Sequence, residues 1–156
     1  MYGAKLSRPM GGLAQPLHHI IGTNSAEFNI GDVVDITSGY VSVLGATSDR
    51  PFGICTKKVT MDSDNVTVAK AKVPVQPLGM DDMFEMDLDD DATAANQGQF
   101  FQFTTGGTGA QTVDFSSASD TVGQIVLVEL DPRGEGSTTR GLFRVALPEM
   151  AFEPET

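Results

Sequence analysis

The sequence predicts an all-β protein, in which a small β-barrel or β-sandwich body follows an extended N-terminal arm. From Gly31 onward, short runs rich in Val, Ile, Thr and Phe alternate with clusters of Gly, Pro, Ser and Asp, as in strands joined by turns. Before residue 30, glycines and prolines are too frequent for a long helix or a strand ladder. The 156 residues suit one domain that buries about 68–70% of its unfolded surface.

The predicted arm comprises residues 1–29. It carries too many large apolar residues for an inert linker, namely Tyr2, Leu6, Met10, Leu13, Leu17, Ile20, Ile21 and Phe28. Such a segment is expected to order against another surface, either its own domain or a neighbouring subunit. Ordering costs about 1–2 kcal/mol per residue. The main-chain hydrogen bonds of a strand added to an exposed sheet edge can offset that cost.

The first half of the body contains four predicted strands. Residues 32–37 and 40–44 are β-rich runs separated by Ser38-Gly39, which predicts a hairpin. Residues 52–56 form a third, short strand. Residues 66–75 form a longer one, whose apolar face changes midway, so a bulge or a bend between sheets is expected there.

The acidic stretch at residues 80–91 is open to two interpretations. Met80, Phe84 and Leu88 recur at helical spacing, whereas Phe84, Met86 and Leu88 alternate with acidic residues as in a strand. The strand-rich context favours the strand. Residues 92–98 then form a connection rich in turn residues, with room for one helical turn.

The second half of the body contains three more predicted strands, at residues 99–104, 124–130 and 142–147. The middle one is apolar on both faces, as in a strand that is covered on both sides. Residues 31–37 resemble residues 98–104 position by position in residue class. A Ser-Asp pair, a Gly and an apolar strand follow each segment, leading to Gly53-Ile54 and Gly123-Gln124-Ile125. The body is therefore predicted to hold two related β-units.

Composition argues against several classes of function. Ten Lys and Arg stand against 21 Asp and Glu, a net charge of −11, and the basic residues are scattered. A nucleic-acid partner, which needs a basic face, is therefore not expected. No apolar window approaches the ~18 residues of a spanning helix, and no secretory signal is visible, so no membrane role is expected. A single cysteine, Cys55, permits neither an internal disulfide nor a cysteine-rich zinc site.

No residue set predicts catalysis. His18-His19 lacks nearby metal ligands in sequence, and Cys55 lies in an apolar strand, where an inert buried thiol is the usual state. Residues 62–73 begin like a calcium loop but lack its central Gly and closing Glu. The acidic segment 81–91 leaves weak Ca²⁺ binding open. The prediction is a non-enzymatic protein without a cofactor or metal, and the alternative is a small metal- or ligand-binding β-barrel.

Two segments resemble the capsid decoration (cement) proteins of tailed bacteriophages. They are Gly31-Asp32-Val33-Val34, followed after a hairpin by residues 46–54, which end in Phe52-Gly53-Ile54. A second copy runs from residues 98–101 to 122–125, with Gln99 in place of the acidic residue. The resemblance covers about residues 28–147, and its motifs are short.

The resemblance implies a β-tulip or related small barrel on the outer surface of the phage head, in a virion protein made in the host cytoplasm. The implied partner is the major capsid protein, and the implied oligomer is a homotrimer. The chain is predicted to divide into an arm (1–29), a body (30–148) and a C-terminal tail (149–156). The implied capsid anchors lie in the arm, at Tyr2, Leu6, Leu13, Leu17, Ile20, Ile21 and Phe28. A head-fibre base or tail-associated β-protein is the alternative virion component.

Overall fold

The computed structural model describes residues 3–8, 17–23, 26–45, 50–62, 72–79, 81–105 and 111–146. It confirms the predicted all-β class, because a single 3-10 turn at Ala94–Asn96 is the one helical element in these residues. The thirteen strands are β1 Lys5–Arg8, β2 His18–Ile20, β3 Glu27–Phe28, β4 Val33–Thr37, β5 Tyr40–Val43, β6 Gly53–Cys55, β7 Val59–Thr60, β8 Val73–Pro77, β9 Met83–Asp87, β10 Phe100–Thr105, β11 Gln111–Ser119, β12 Ile125–Leu130 and β13 Arg140–Val145.

These strands form three antiparallel sheets. The six-stranded sheet has the order β1-β9-β13-β12-β10-β11, the five-stranded sheet the order β2-β8-β6-β4-β5, and β3 pairs with β7. The predicted hairpin is confirmed as β4–β5. Its turn residues Ser38 and Gly39 both have positive φ, at 53° and 84°, which suits the right-handed twist of a two-residue hairpin.

The remaining strand predictions are confirmed where the structure describes the residues. The acidic stretch forms β9, and the connection after it contains the 3-10 turn. Residues 99–104, 124–130 and 142–147 correspond to β10, β12 and β13. Of the predicted strand at 66–75, residues 66–71 lie outside the described part, and β8 begins at Val73. The predicted tail at 149–156 also lies outside the described part.

Ten of the strands form two units with the same arrangement, as the sequence repeat predicts. Unit 1 has the order β2-β8-β6-β4-β5, and unit 2 has the order β9-β13-β12-β10-β11. In both units the order begins with the strand that comes first in sequence, and the fourth and second strands in sequence (β6 and β4, β12 and β10) lie side by side. The extra strand β1 pairs with the outer side of β9.

The two units also share their pairing register. In unit 1, Val34 lies opposite Gly53. In unit 2, the equivalent Phe101 lies opposite Ile125. The other strand pairs of the two units align in the same way. The pair His18–Val75 of unit 1 corresponds to Phe84–Phe143 of unit 2. Likewise, Cys55–Val75 corresponds to Leu127–Phe143, and Ile36–Val41 corresponds to Phe103–Val113.

Each central strand is entered through the same tight turn. Gly31 (φ 87°) donates its backbone N–H to the Cys55 carbonyl at 2.8 Å, and Gly98 (φ 89°) donates to the Leu127 carbonyl at 2.7 Å. A positive φ favours glycine at both positions. These glycines open the two segments in which the sequence repeat is found.

In each unit, the chain that follows the first strand of the sheet order (β2 or β9) runs on to the strand at the other end of that order (β5 or β11). Residue 22 forms a parallel bridge with Val41, while Thr23 N–H donates to the Val41 carbonyl at 2.9 Å. In unit 2, Leu88 bridges Val113 in the same way, and Asp89 N–H donates to the Val113 carbonyl at 3.0 Å. The first and last strands of each unit are therefore joined by backbone bonds.

The interiors of the two units are filled differently. Unit 2 is filled by its own large side chains, among them Phe84, Phe101, Phe103, Leu127 and Phe143. Unit 1 carries small residues at the equivalent inward positions, such as Val34, Cys55 and Val75, and it is completed by Phe28 from β3 and by Met61, which follows β7. The β3–β7 pair therefore covers unit 1 and supplies the volume that its own strands lack.

The units contact each other through one face of unit 1. Val33, Leu44 and Ile54 point away from the core of unit 1 and belong to the apolar cluster of unit 2. Because side chains alternate across a strand, Val33 faces unit 2 while its neighbour Val34 faces the interior of unit 1.

Candidate interaction surface

Two buried glutamines of unit 2 hold the junction between the units. The Gln111 amide Nε2 donates to the carbonyls of Val33 (2.9 Å) and Leu44 (2.8 Å), and its Oε1 accepts from Val33 N–H at 2.7 Å. Gln124 Nε2 donates to the Gly45 carbonyl at 3.2 Å. Both side chains bond to backbone groups of unit 1 at buried or partly buried positions, so the junction is specific in geometry as well as apolar.

The described part of the predicted arm orders against its own chain. Strand β1 pairs with β9, with Lys5 opposite Glu85. Ala4 N–H donates to the Gly31 carbonyl at 2.6 Å, and a Cβ atom at Gly3 would lie 2.6 Å from the Gly31 backbone. Residues 3–8 therefore bind unit 2 through a strand and unit 1 through the turn at Gly31. Its own domain is one of the two surfaces that the sequence left open for this segment.

The seven predicted anchors fall into different environments. Tyr2 and Leu13 lie outside the described residues, and Leu6 lies in β1, paired with Phe84. Ile20 and Ile21 are half-buried and pack against the core of unit 1. Leu17 is 44% exposed at the start of β2 and is the one of these residues whose described side chain is open to solvent.

Phe28 differs from the prediction. Its side chain is 0% exposed and belongs to the core of unit 1. A ring in this position cannot contact another protein without opening the unit, so Phe28 is a core residue and not a surface anchor.

Exposed apolar side chains that the sequence reasoning missed lie elsewhere on the body. The large ones in the described residues, besides Leu17, are Ile30, Ile36, Tyr40, Val122 and Val128. Alternation would place Ile36 inside, on the same face of β4 as Val34, and its counterpart Phe103 in unit 2 is fully buried. Comparing the two repeats position by position is the sequence signal that could have drawn attention to Ile36.

The carboxylates of the acidic segment mostly bind donors of their own chain. Asp82 Oδ2 accepts from Gly79 N–H at 2.7 Å, Asp89 Oδ1 from Phe115 N–H at 2.8 Å, and Asp91 Oδ1 from the Thr138 hydroxyl at 2.6 Å. Within the described ranges, no group of three or more His, Cys, Asp or Glu side chains converges as a metal site would require. These carboxylates act as turn and strand-end acceptors.

Two other carboxylates on β9 form a partly buried ion network. Arg140 Nη2 lies 2.9 Å from Asp87 Oδ1, and Glu85 Oε2 lies 2.8 Å from Arg133 Nη2 and 3.7 Å from Arg140 Nη1. The side chains of Arg140, Glu85 and Asp87 are only 12–15% exposed, so solvent screens their interactions less than at an open surface.

Replacing Arg140 with methionine is expected to lower the free energy of unfolding by about 1–3 kcal/mol, because Asp87 and Glu85 would lose their shared cation at a partly buried position. Urea denaturation measures the loss. Lys58→Met is the matched control, since the Lys58–Glu27 pair is more than half exposed, and it should change stability by less than about 0.5 kcal/mol. Equal effects of the two variants would contradict this assignment.

Burial shifts the pKa of two titratable groups of unit 1, Asp32 and Cys55. Burial raises the pKa of Asp32, although its Oδ2 accepts a hydrogen bond from Asn29 N–H at 2.8 Å. Burial also raises the pKa of the Cys55 thiol, whose Sγ lies 3.0 Å from the Lys57 carbonyl oxygen. Cys55 is buried, as the sequence predicts, and its raised pKa favours the protonated thiol over the reactive thiolate.

Replacing Asp32 with asparagine is expected to flatten the pH dependence of stability. Because the pKa of Asp32 is raised, its carboxyl group stays protonated to a higher pH in the folded protein than in the unfolded chain. The free energy of unfolding therefore falls as the pH rises from the ordinary pKa of 3.8 through the raised pKa. An asparagine oxygen can still accept from Asn29. The stability of the variant relative to the natural protein should therefore increase from pH ~3 to pH ~7 in urea titrations; a constant difference would contradict this.

His18 and His19 lie exposed on β2. The His18 ring packs edge-on against Phe52, with centroids 5.9 Å apart.

Searches with protein-family models, against curated proteins and against solved structures find no match to the chain. In the part of the chain that the structure describes, no helix has the length and apolar character to cross a bilayer.

Proposed function

We propose that this chain is a virion structural protein, a capsid decoration protein that binds the outer surface of a phage head and stabilises contacts between major capsid protein subunits. One observation carries the proposal. The opening segments of the two resembling copies, residues 31–34 and 98–101, form the same turn and the same central strand in both units, at Gly31 and at Gly98. Two structurally equivalent copies of this opening motif support the proposal.

The charge and the side-chain environments support the same proposal. A net charge of −11 disfavours contact with packaged DNA and favours solubility at high copy number. The thiol of Cys55 and the carboxylates of Asp82, Asp89 and Asp91 serve the fold. Leu17, exposed at the start of β2, is the candidate capsid contact among the described anchors.

Cosedimentation with empty heads assembled from the major capsid protein encoded with this chain tests the proposal. The protein should pellet with the heads in a saturable ratio and raise the temperature at which they disassemble. Leu17→Asp should weaken binding about tenfold or more, because it places a charge in an apolar contact. Ile30→Asp carries the same charge change at an exposed apolar site outside the arm and should bind normally. Failure of the natural protein to pellet with heads would refute the proposed function.

A further inference from the structure

The junction inside the chain joins two unlike surfaces. The first is the outer face of unit 1, which carries Val33, Leu44 and Ile54. The second is the receiving end of unit 2, which we define as Phe103, Gln111, Thr112 and Gln124. Gln111 and Gln124 bond to the backbone of the outer face, and Gln124 Oε1 also accepts from Phe103 N–H at 3.0 Å. All seven of these residues are buried.

The receiving end has a counterpart in unit 1 that is not covered. By the shared register, Ile36 is equivalent to Phe103 and Tyr40 is equivalent to Thr112. Ile36 and Tyr40 are 40% and 38% exposed, whereas Phe103 and Thr112 are 0% and 4% exposed. Phe52, the counterpart of Gln124, is half-buried. Ile36 and Tyr40 of unit 1 are therefore open to solvent, whereas their counterparts in unit 2 are buried at the junction with unit 1.

The outer face has a counterpart in unit 2. Phe100 is equivalent to Val33, and it is half-buried where Val33 is fully buried. Beside it lies the loop that carries Val122, which is 66% exposed; a Cβ atom at the adjacent Gly123 would lie 2.7 Å from Phe100 Cβ. Phe100 and Val122 leave apolar surface of unit 2 accessible to solvent, whereas Val126, the counterpart of Ile54, is only 6% exposed.

We propose that copies of this chain associate head to tail, with the outer face of unit 2 in one copy bound to the receiving end of unit 1 in the next. The occupant of each open surface is a second copy, because the chain itself already makes one such contact, in which Val33, the equivalent of Phe100, bonds through its N–H to Gln111 of the receiving end. Gly39 and Phe52 of unit 1 occupy the positions equivalent to Gln111 and Gln124 of unit 2. The contact between copies is therefore more apolar than the junction between the two units of one chain. Two unlike surfaces make a heterologous contact, which closes into a ring or extends as a filament.

Sedimentation velocity of the full chain tests this inference without any capsid. The natural protein at about 100 µM, well above the micromolar Kd of a weak interface, should sediment as an oligomer. Ile36→Asp disables the receiving end and Val122→Asp disables the outer face, so each variant alone should sediment as a monomer. Ile30→Asp is the matched control, with the same charge change at a 68% exposed residue in neither surface, and it should behave like the natural protein.

Mixing the two variants distinguishes head-to-tail association from a symmetric dimer. A copy with Ile36→Asp keeps an intact outer face, and a copy with Val122→Asp keeps an intact receiving end, so an equimolar mixture should form a dimer through one intact contact. Tyr40→Ser provides the same test if Ile36→Asp lowers the melting temperature. A monomeric natural protein, oligomeric single variants or a monomeric mixture would each overturn the inference. The inference does not rest on the proposed function, since a monomer that binds heads would refute only the self-association.

Discussion

Replacing Phe28 with alanine is expected to lower the free energy of unfolding by about 3–5 kcal/mol. The strands of unit 1 present small residues inward, and Phe28 and Met61 supply the missing volume. Removing the ring leaves a cavity that the backbone of a strand-paired unit cannot readily close. A domain of this size has a total stability of only about 5–15 kcal/mol, so the loss should be evident in urea denaturation. Phe115→Ala is the control, because that ring is only partly buried and should cost clearly less.

A second substitution tests whether Phe28 occupies the space that a larger residue 22 would need. A Cβ atom at Gly22 would lie 2.5 Å from Phe28 Cε2 and 2.9 Å from Met61 Cγ, whereas the equivalent position in unit 2 holds Leu88. Gly22→Leu alone should therefore be strongly destabilising, by overpacking. Combined with Phe28→Ala it should restore about 1–3 kcal/mol of the summed losses. Strictly additive losses would show that the two side chains do not compete for one space.

Replacing Gln111 with leucine is expected to lower the free energy of unfolding by about 2–5 kcal/mol. Its amide binds Val33 N–H, the Val33 carbonyl and the Leu44 carbonyl. Leucine would remove these bonds, and although the Val33 carbonyl still accepts from Leu44 N–H, the loss at Val33 N–H and at the Leu44 carbonyl costs about 1–3 kcal/mol each. Thermal and urea unfolding measure the effect. Gln97→Ala is the control, since Gln97 accepts one bond, from Leu130 N–H at an exposed position, and should cost less than about 1 kcal/mol.

Gln111→Glu separates the hydrogen bonds from side-chain volume. Glutamate keeps the shape and one acceptor for Val33 N–H, but it places an oxygen against the Leu44 carbonyl where the amide donated a proton. It should be at least as destabilising as the leucine variant near neutral pH, because an ionised carboxylate is buried. A stability within about 0.5 kcal/mol of the natural protein for either variant would show that the units do not depend on this side chain.

Local sequence signals predicted most of the individual strands. Ser38-Gly39 predicted the hairpin because both positions adopt positive φ. The repeat of residues 31–37 at 98–104 is confirmed in the register of β4 and β10. Its continuation is shifted, since Gly53 is equivalent to Ile125 and not to Gly123. A degenerate motif aligns residue classes, whereas the hydrogen-bond register decides which residues are structurally equivalent.

The sequence could not separate core from surface in the first part of the chain. Phe28 and Leu17 are both large apolar residues in a glycine- and proline-rich segment, yet one is fully buried and the other is 44% exposed. That difference depends on β3 pairing with β7, where Phe28 lies opposite Val59. Strands of two residues are too short to show an apolar period, so such a distant pairing leaves no local signal.

The backbone bridges at Val41 and Val113 have a consequence for aggregation. An open sheet displays unpaired N–H and carbonyl groups along its outermost strands, which can template pairing with other molecules and lead to amyloid-like deposits. In the described residues of each unit, the strand that begins the sheet continues onto the strand that ends it. Backbone groups at these strand ends are thereby already engaged within the chain, which leaves fewer of them open to pairing with another molecule.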